Sequence, residues 1–115
     1  MGLSTHILDT SLGRPAANVP ITLSEFRDSA KGGSWHKIGS ASTDEDGRCK
    51  TLLGEHPLVA TAYKLHFNVG EYFHRLRTPA LYPYVEIVFH VADPSQHYHI
   101  PLLLTANGYT TYRGS

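Results

Sequence analysis

The chain has 115 residues, a length that fits one domain with a single hydrophobic core. Ten Lys and Arg residues balance ten Asp and Glu residues, so the formal net charge at pH 7 is zero. With balanced charges the chain has no net positive charge that would attract nucleic acid or an anionic membrane. No apolar run approaches the roughly 20 residues of a bilayer-spanning helix. We therefore expect a single domain over residues 1–115 that binds neither nucleic acid nor membrane.

Targeting and redox features favour a cytoplasmic location, with the peroxisome as the alternative. Residues 1–6 lack the charged and apolar regions of a secretory signal, and the sequence does not end in Ser-Lys-Leu. Cys49 is the only cysteine, which excludes an internal disulfide and is compatible with a reducing compartment. We expect its thiol to be buried and inert.

Alternation of apolar and polar residues predicts strands along most of the chain. Clusters of Gly, Pro, Asn and Asp separate these segments and predict turns. The predicted strands are residues 3–9, 19–26, 36–42, 48–53, 60–69, 84–92, 97–104 and 108–113. A helix of about two turns is predicted within residues 70–77, ending before Pro79. Short strands with regularly spaced turns predict an all-β fold, an antiparallel sandwich of two sheets.

The predicted strand 97–104 has two unlike faces. One face is typical of a core and holds Tyr98, Ile100, Leu102 and Leu104. The opposite face combines two histidines with Pro and Leu: His97, His99, Pro101 and Leu103. Because a solvated face would not favour Pro and Leu, we expect a second subunit to cover it. The tail that follows is aromatic nearly to its end, so we expect it to finish inside the structure rather than fray.

Residue spacing suggests several kinds of site. His97 and His99 project to the same face of a strand, and with a third ligand such as His6 they could bind a metal. Surface or hydrogen-bonded histidines are the plainer alternative. Arg48 directly follows an Asp-rich turn, residues 44–47, which places its guanidinium at the start of a strand. From these patterns alone we predict a β-sandwich oligomer with a cluster of His and Arg.

Other common motifs are not complete in the sequence. The turn at residues 44–47 carries two Asp residues but lacks the distal Glu of a calcium-binding loop. No glycine-rich phosphate loop, nucleophile elbow or local Cys/His signature is present. Ser115 lies at the end of the chain without a strand-to-helix elbow, so it is a poor candidate for a nucleophile.

Three blocks of the sequence resemble the 5-hydroxyisourate hydrolases of the transthyretin-like family. They are residues 3–16 (LSTHILDT followed by GRPA), residues 43–48 (TDEDGR) and residues 97–115, which end in Tyr-Arg-Gly-Ser. The terminal tetrapeptide is the most specific block, because the transthyretin hormone carriers of the same family lack it and differ at the His and Arg positions. The resemblance extends over essentially the whole chain and is loosest over residues 24–42.

The resemblance implies a transthyretin-like β-sandwich of two four-stranded sheets with one short helix. It further implies a homotetramer with active sites at the dimer–dimer interface, and neither a metal nor an organic cofactor. The implied reaction opens the ring of 5-hydroxyisourate to 2-oxo-4-hydroxy-4-carboxy-5-ureidoimidazoline in urate and purine degradation. Carried over to this sequence, the catalytic residues are His6, Arg48 and His99, and the substrate-binding residues are Tyr112, Arg113, Gly114 and Ser115.

These residue types suit the implied reaction. An imidazole with a pKa near 6.5 can activate water at neutral pH, and a guanidinium stays charged and can stabilise a developing oxyanion. Which histidine is acid and which is base depends on geometry. The alternatives are a non-catalytic carrier of a small hormone-like ligand, a histidine-built metal protein and a purely structural sandwich. Retention of the polar positions and of the terminal tetrapeptide favours the hydrolase.

Overall fold

Strands alternate with turns along residues 2–115, the part of the chain that the computed structural model describes. The elements in chain order are β1 (Gly2–Asp9), β2 (Arg14–Pro15), β3 (Pro20–Ser29), β4 (Gly32–Ser42), β5 (Arg48–Cys49), β6 (Ala62–Phe67), α1 (Val69–Arg75), β7 (Val85–His90), β8 (His97–Leu104) and β9 (Tyr109–Thr111). In this part of the chain the strands form two sheets, which enclose the core.

The first sheet has the order β2–β1–β8–β9, and β5 pairs with the same edge of β1 as β2 does. β1 and β8 run parallel along their whole length, from Gly2 beside His97 to Asp9 beside Leu104. The expectation of a purely antiparallel sandwich was therefore wrong for this pair. A parallel pair needs a long crossover connection, and here the second sheet and α1 lie within that connection.

The second sheet has the order β4–β3–β6–β7, and all its pairs are antiparallel. Period-two alternation directs the apolar side chains of both sheets inward. The largest fully buried side chains include those of Tyr63, Phe67, Ile7, Ile21, Leu23, Leu65 and Leu102. The predicted fold class is confirmed. The first sheet has five strands because two short segments, β2 and β5, both pair with β1.

Strand boundaries agree best where alternation is strong. The prediction of residues 97–104 matches β8, whereas the predicted strand 48–53 ends at Cys49. Beyond that point the main chain packs closely over Gly39 of β4. A Cβ atom at Gly39 would collide with the carbonyl of Leu52, so only glycine allows this approach. Leu52 is buried there without pairing as a strand. Cys49 is buried with a free thiol, as expected.

The helix α1 lies between β6 and β7 of the second sheet and packs against the end of β1. The side chain of Asn68 accepts a hydrogen bond from the Glu71 N–H at 3.3 Å, which begins the helix. The Tyr72 hydroxyl donates to the buried carboxylate of Asp9 at 2.7 Å, so the helix is fixed to the end of β1. Burial, together with this carboxylate, raises the pKa of Tyr72 to about 12. Over residues 2–115 no helix combines the length and apolarity needed to cross a membrane.

Candidate active site

Strand pairing brings three distant segments together on the outer face of the first sheet. His6 on β1 lies opposite Arg48 on β5, and Ser4 on β1 lies opposite His99 on β8. Paired positions on neighbouring strands project to the same face of a sheet. His97 shares this face because it is two residues from His99. The three sequence-predicted catalytic residues, His6, Arg48 and His99, therefore project from one face.

The hydroxyl of Ser4 lies between two imidazole rings. Its Oγ atom is hydrogen-bonded to Nε2 of His97 at 2.8 Å and to Nδ1 of His99 at 2.8 Å. Ser4 is buried, His99 is half-buried and His97 is exposed. The bridge fixes both ring planes and leaves Nε2 of His99 as the ring nitrogen that does not contact Ser4.

The surroundings of His99 favour its neutral form. Burial is the largest cause that lowers its pKa below 6.5, and the positive charges of Arg48, His6 and His97 act in the same direction. A hydrogen bond with the Ser4 backbone opposes this shift only in part. His99 is therefore an uncharged base at neutral pH, held among groups that carry or can acquire positive charge.

The C-terminal tail reaches His99 and packs against it. The N–H of Gly114 donates to the His99 carbonyl at 2.8 Å, and the Thr111 hydroxyl donates to the Pro101 carbonyl at 2.7 Å. A Cβ atom at Gly114 would lie 2.5 Å from Cδ2 of His99 and 3.3 Å from Cγ of Pro101. The tail therefore approaches the imidazole so closely that only glycine fits. The tail is held in place rather than frayed, as expected. It does not finish inside the single chain, because residues 109–113 and 115 are exposed.

The other tail residues have different surroundings. Arg113 Nη2 donates to Oε1 of Gln96 at 2.9 Å and to the His97 carbonyl at 3.3 Å. Its guanidinium lies 4.2 Å from the centre of the Tyr98 ring, a cation–π contact with a core-facing side chain. Tyr112 and Arg113 line a cavity of about 360 Å³ that also touches β7. Of the four predicted substrate-binding residues, Gly114 touches His99, Arg113 ties the tail to β8, and Ser115 is exposed at the chain end.

A larger concavity of about 690 Å³ opens beside the histidines. Ser4 and His97 form part of its lining, together with the titratable residues Lys50, Glu55 and His56. Glu25 is buried next to it and holds His56 through a contact of 3.0 Å between Oε2 and Nε2. The His97 end of the Ser4 bridge therefore faces an open concavity lined by both charged and apolar residues.

Metal binding by the histidines is the alternative that spacing suggested. Among the described residues, no three His, Cys, Asp or Glu side chains are placed to hold a metal ion. Nε2 of His97 and Nδ1 of His99 instead contact the Ser4 hydroxyl.

Sequence reasoning missed the role of Ser4. The alternation pattern places it on the face of His6, but its position opposite His99 depends on the parallel pairing of β1 with β8. His97 was recognised as part of the same face but was not included among the catalytic residues. The available signal was the combination of Ser4 with His6 on one strand and of His97 with His99 on another.

A family model described as the HIUase/Transthyretin family matches residues 3–114. The chain belongs to this family. It is 41% identical over 113 residues to the 5-hydroxyisourate hydrolase of Mus musculus, covering 98% of this chain and 94% of that protein. Among solved structures, the 5-hydroxyisourate hydrolase of Klebsiella pneumoniae matches with a TM-score of 0.83 and 32% identity over the whole of both chains.

The HIUase/Transthyretin family also contains proteins described as transthyretins. The structure of sea bream transthyretin in complex with thyroxine matches with a TM-score of 0.88 and 29% identity, covering 99% of this chain and 95% of that one. Since this TM-score is no lower than that of the hydrolase, the backbone alone does not separate the two classes. The side chains on the outer face of the first sheet must do so.

Proposed function

We propose that this chain is a 5-hydroxyisourate hydrolase that opens the ring of its substrate by histidine-assisted attack of water. The observation that carries the proposal is the convergence of His6, Arg48 and His99 on one sheet face, with Gly114 of the tail packed on the His99 ring. Curated relatives named 5-hydroxyisourate hydrolase, among them the mouse protein, support it. The proposed product is 2-oxo-4-hydroxy-4-carboxy-5-ureidoimidazoline.

In the proposed mechanism His99 is the general base. Its lowered pKa keeps it neutral at physiological pH, and Nε2 is the nitrogen available to a water molecule. The water transfers a proton to Nε2, and its oxygen forms a bond to the ring carbonyl carbon. Arg48 stabilises the negative charge that develops on the carbonyl oxygen, because a guanidinium stays protonated. His6 donates a proton to the ring nitrogen as its bond to the carbonyl carbon breaks.

Assembly into a homotetramer with the sites at the dimer–dimer interface is part of the same proposal. Large apolar side chains are exposed near the first sheet, including those of Leu81, Tyr82, Tyr109 and Tyr112. Such a patch is typical of a surface that another subunit covers. Analytical ultracentrifugation tests this part directly, since a monomer at micromolar concentration would contradict it. The free thiol of Cys49 supports a cytoplasmic location over an oxidising one.

The activity is tested with substrate generated in the cuvette from urate. We expect the ultraviolet absorbance of 5-hydroxyisourate to decay faster with the wild-type chain, and we expect His99→Gln to remove this acceleration. Deletion of residues 112–115 should abolish turnover and leave the sandwich folded by circular dichroism, because the deletion leaves all the strands intact. Thyroxine binding without any acceleration of the decay would instead identify a carrier.

A further inference from the structure

The Ser4 bridge couples the protonation of two histidines. A serine hydroxyl has one proton to donate, and its oxygen can also accept. When both rings are neutral and the hydroxyl proton of Ser4 lies along the bridge, one ring donates to Ser4 Oγ and the other accepts from it. If Nδ1–H of His99 donates, Ser4 donates to Nε2 of His97, whose own proton then lies on Nδ1. If Nε2–H of His97 donates, Ser4 donates to Nδ1 of His99, whose proton then lies on Nε2. In either arrangement the two rings share the same tautomer.

The bridge also forms a continuous path with one nitrogen at each end. Starting at His99 Nε2, it passes through the ring to Nδ1, to Ser4 Oγ at 2.8 Å and to His97 Nε2 at 2.8 Å. It ends at His97 Nδ1, on an exposed ring that lines the 690 Å³ concavity. Every group on the path can both donate and accept a proton.

We propose that Ser4 is a positioning residue that relays a proton from His99 to His97, so that His99 takes up the proton of the attacking water without becoming an imidazolium beside Arg48. The relay rests on the proposed hydrolase function. When water transfers a proton to His99 Nε2, the Nδ1 proton of His99 moves to Ser4 Oγ. The hydroxyl proton of Ser4 moves at the same time to His97 Nε2. His97 becomes the imidazolium and loses its Nδ1 proton to solvent, while the hydroxide oxygen bonds to the substrate carbonyl. Both rings then carry their proton on Nε2. After the product has left, release of the His99 Nε2 proton and uptake of a solvent proton at His97 Nδ1 reverse the shift and restore the base.

The charges around the path give it a direction. Arg48 on β5 and His6 on β1 act on His99 and disfavour an imidazolium there. Tail residue Arg113 donates to the backbone carbonyl of His97, and the concavity at the His97 end contains Glu55 as well as Lys50 and His56. His97 is exposed and lines this concavity, so solvent can take up the proton at this end, whereas the charges around His99 disfavour a second proton there.

Nitrogen-15 NMR of the full-length protein tests the coupling without any substrate. We expect His97 and His99 to share the Nδ1–H tautomer near neutral pH in the wild type. Ser4→Ala should make the two tautomers independent, and Ser4→Thr, which retains the hydroxyl, should preserve the pairing. Different tautomers for the two rings in the wild type would overturn the proposal. Thermal unfolding of each variant checks that it remains folded.

Kinetics test the relay itself. Ser4→Ala should lower kcat by about 10- to 100-fold, part of the usual contribution of acid–base catalysis, with little change in KM. Ser4→Thr should retain most of the activity. His97→Gln offers Ser4 an acceptor but cannot carry the proton onward, so we expect slower turnover that rises with added imidazole buffer. Ser4→Ala with wild-type kcat across the pH range, or His97→Gln without buffer rescue, would refute the relay.

The NMR and kinetic experiments together distinguish failure of the relay from failure of the proposed hydrolase function. Normal hydrolysis with unpaired tautomers would refute the relay and leave the hydrolase intact. Paired tautomers in a chain that does not hydrolyse 5-hydroxyisourate would refute the hydrolase, and with it the use of the relay in that reaction.

Discussion

Replacing Gly114 by Ala adds one methyl group at the closest contact between the tail and His99. The added Cβ would lie 2.5 Å from Cδ2 and 3.3 Å from Cγ of His99, and 3.3 Å from Cγ of Pro101. Real Cβ atoms do not approach a ring carbon at 2.5 Å, so either the imidazole or the tail must move. His99 is held by Ser4 through Nδ1, whereas Gly114 is held to it by a single backbone hydrogen bond. We therefore expect the tail to move.

The size of the effect follows from these contacts. Overpacking by one methyl group costs about 1–3 kcal/mol, and the hydrogen bond from Gly114 N–H to the His99 carbonyl contributes about 1 kcal/mol. Since 1.4 kcal/mol corresponds to a tenfold change in an equilibrium constant, the equilibrium constant for docking of the tail should fall by about 5- to 150-fold. If the docked tail is needed for turnover, kcat/KM should fall by up to this factor. The melting temperature should change little, because the core does not include the tail.

The assay is the decay of 5-hydroxyisourate absorbance, with Gly108→Ala as the matched control. Gly108 precedes the same terminal strand, but a Cβ atom there would meet only Oγ1 of Thr105 at 3.7 Å, an ordinary contact. We expect Gly108→Ala to keep the parental rate. A Gly114→Ala protein with parental kcat/KM would show that the close packing of the tail on His99 is not needed for catalysis.

Three further predictions concern charged and buried groups. Arg48→Gln should lower turnover by about 10²–10³-fold. Because it removes a positive charge, it should also raise the pKa of His99 and move the acid limb of the kcat/KM profile to higher pH. An acid limb at the wild-type pH would contradict this electrostatic effect. For Glu25, burial raises the pKa, but hydrogen bonds from Arg27, Tyr63 and His56 outweigh it and lower the folded-state pKa below 4.5. The resulting stabilisation is complete above pH 4.5 and is lost as the pH falls through the folded-state pKa. The difference in melting temperature between wild type and Glu25→Gln should therefore shrink in acid. A difference that stays constant would argue against this stabilising role of Glu25. Tyr72→Phe removes the donor to the buried Asp9 carboxylate and should lower the free energy of unfolding by about 1.5–3 kcal/mol in urea titrations, with no change expected if the bond is unimportant.

The sequence by itself determined which side chains share a face within each strand. Alternation depends only on neighbouring residues, so the core face of β8 and the outward direction of His97 and His99 could be predicted before any partner strand was known. The same local reasoning placed Ser4 beside His6. Predicted strand ends were wrong where tertiary packing outweighed the local alternation. After Cys49, for example, the main chain packs over Gly39 instead of continuing as a strand.

Only the tertiary structure decided which strands meet. Ser4 and His99 are 95 residues apart, and their contact depends on a parallel register between β1 and β8 that no local pattern encodes. The approach of the tail to His99 likewise depends on the register of β9 against β8 and on the bridge between Gly114 and His99. Periodicity is a property of short segments, whereas register is set by burying many side chains at once. For that reason the residues of the site were visible in the sequence, but the Ser4 bridge between two of its histidines was not.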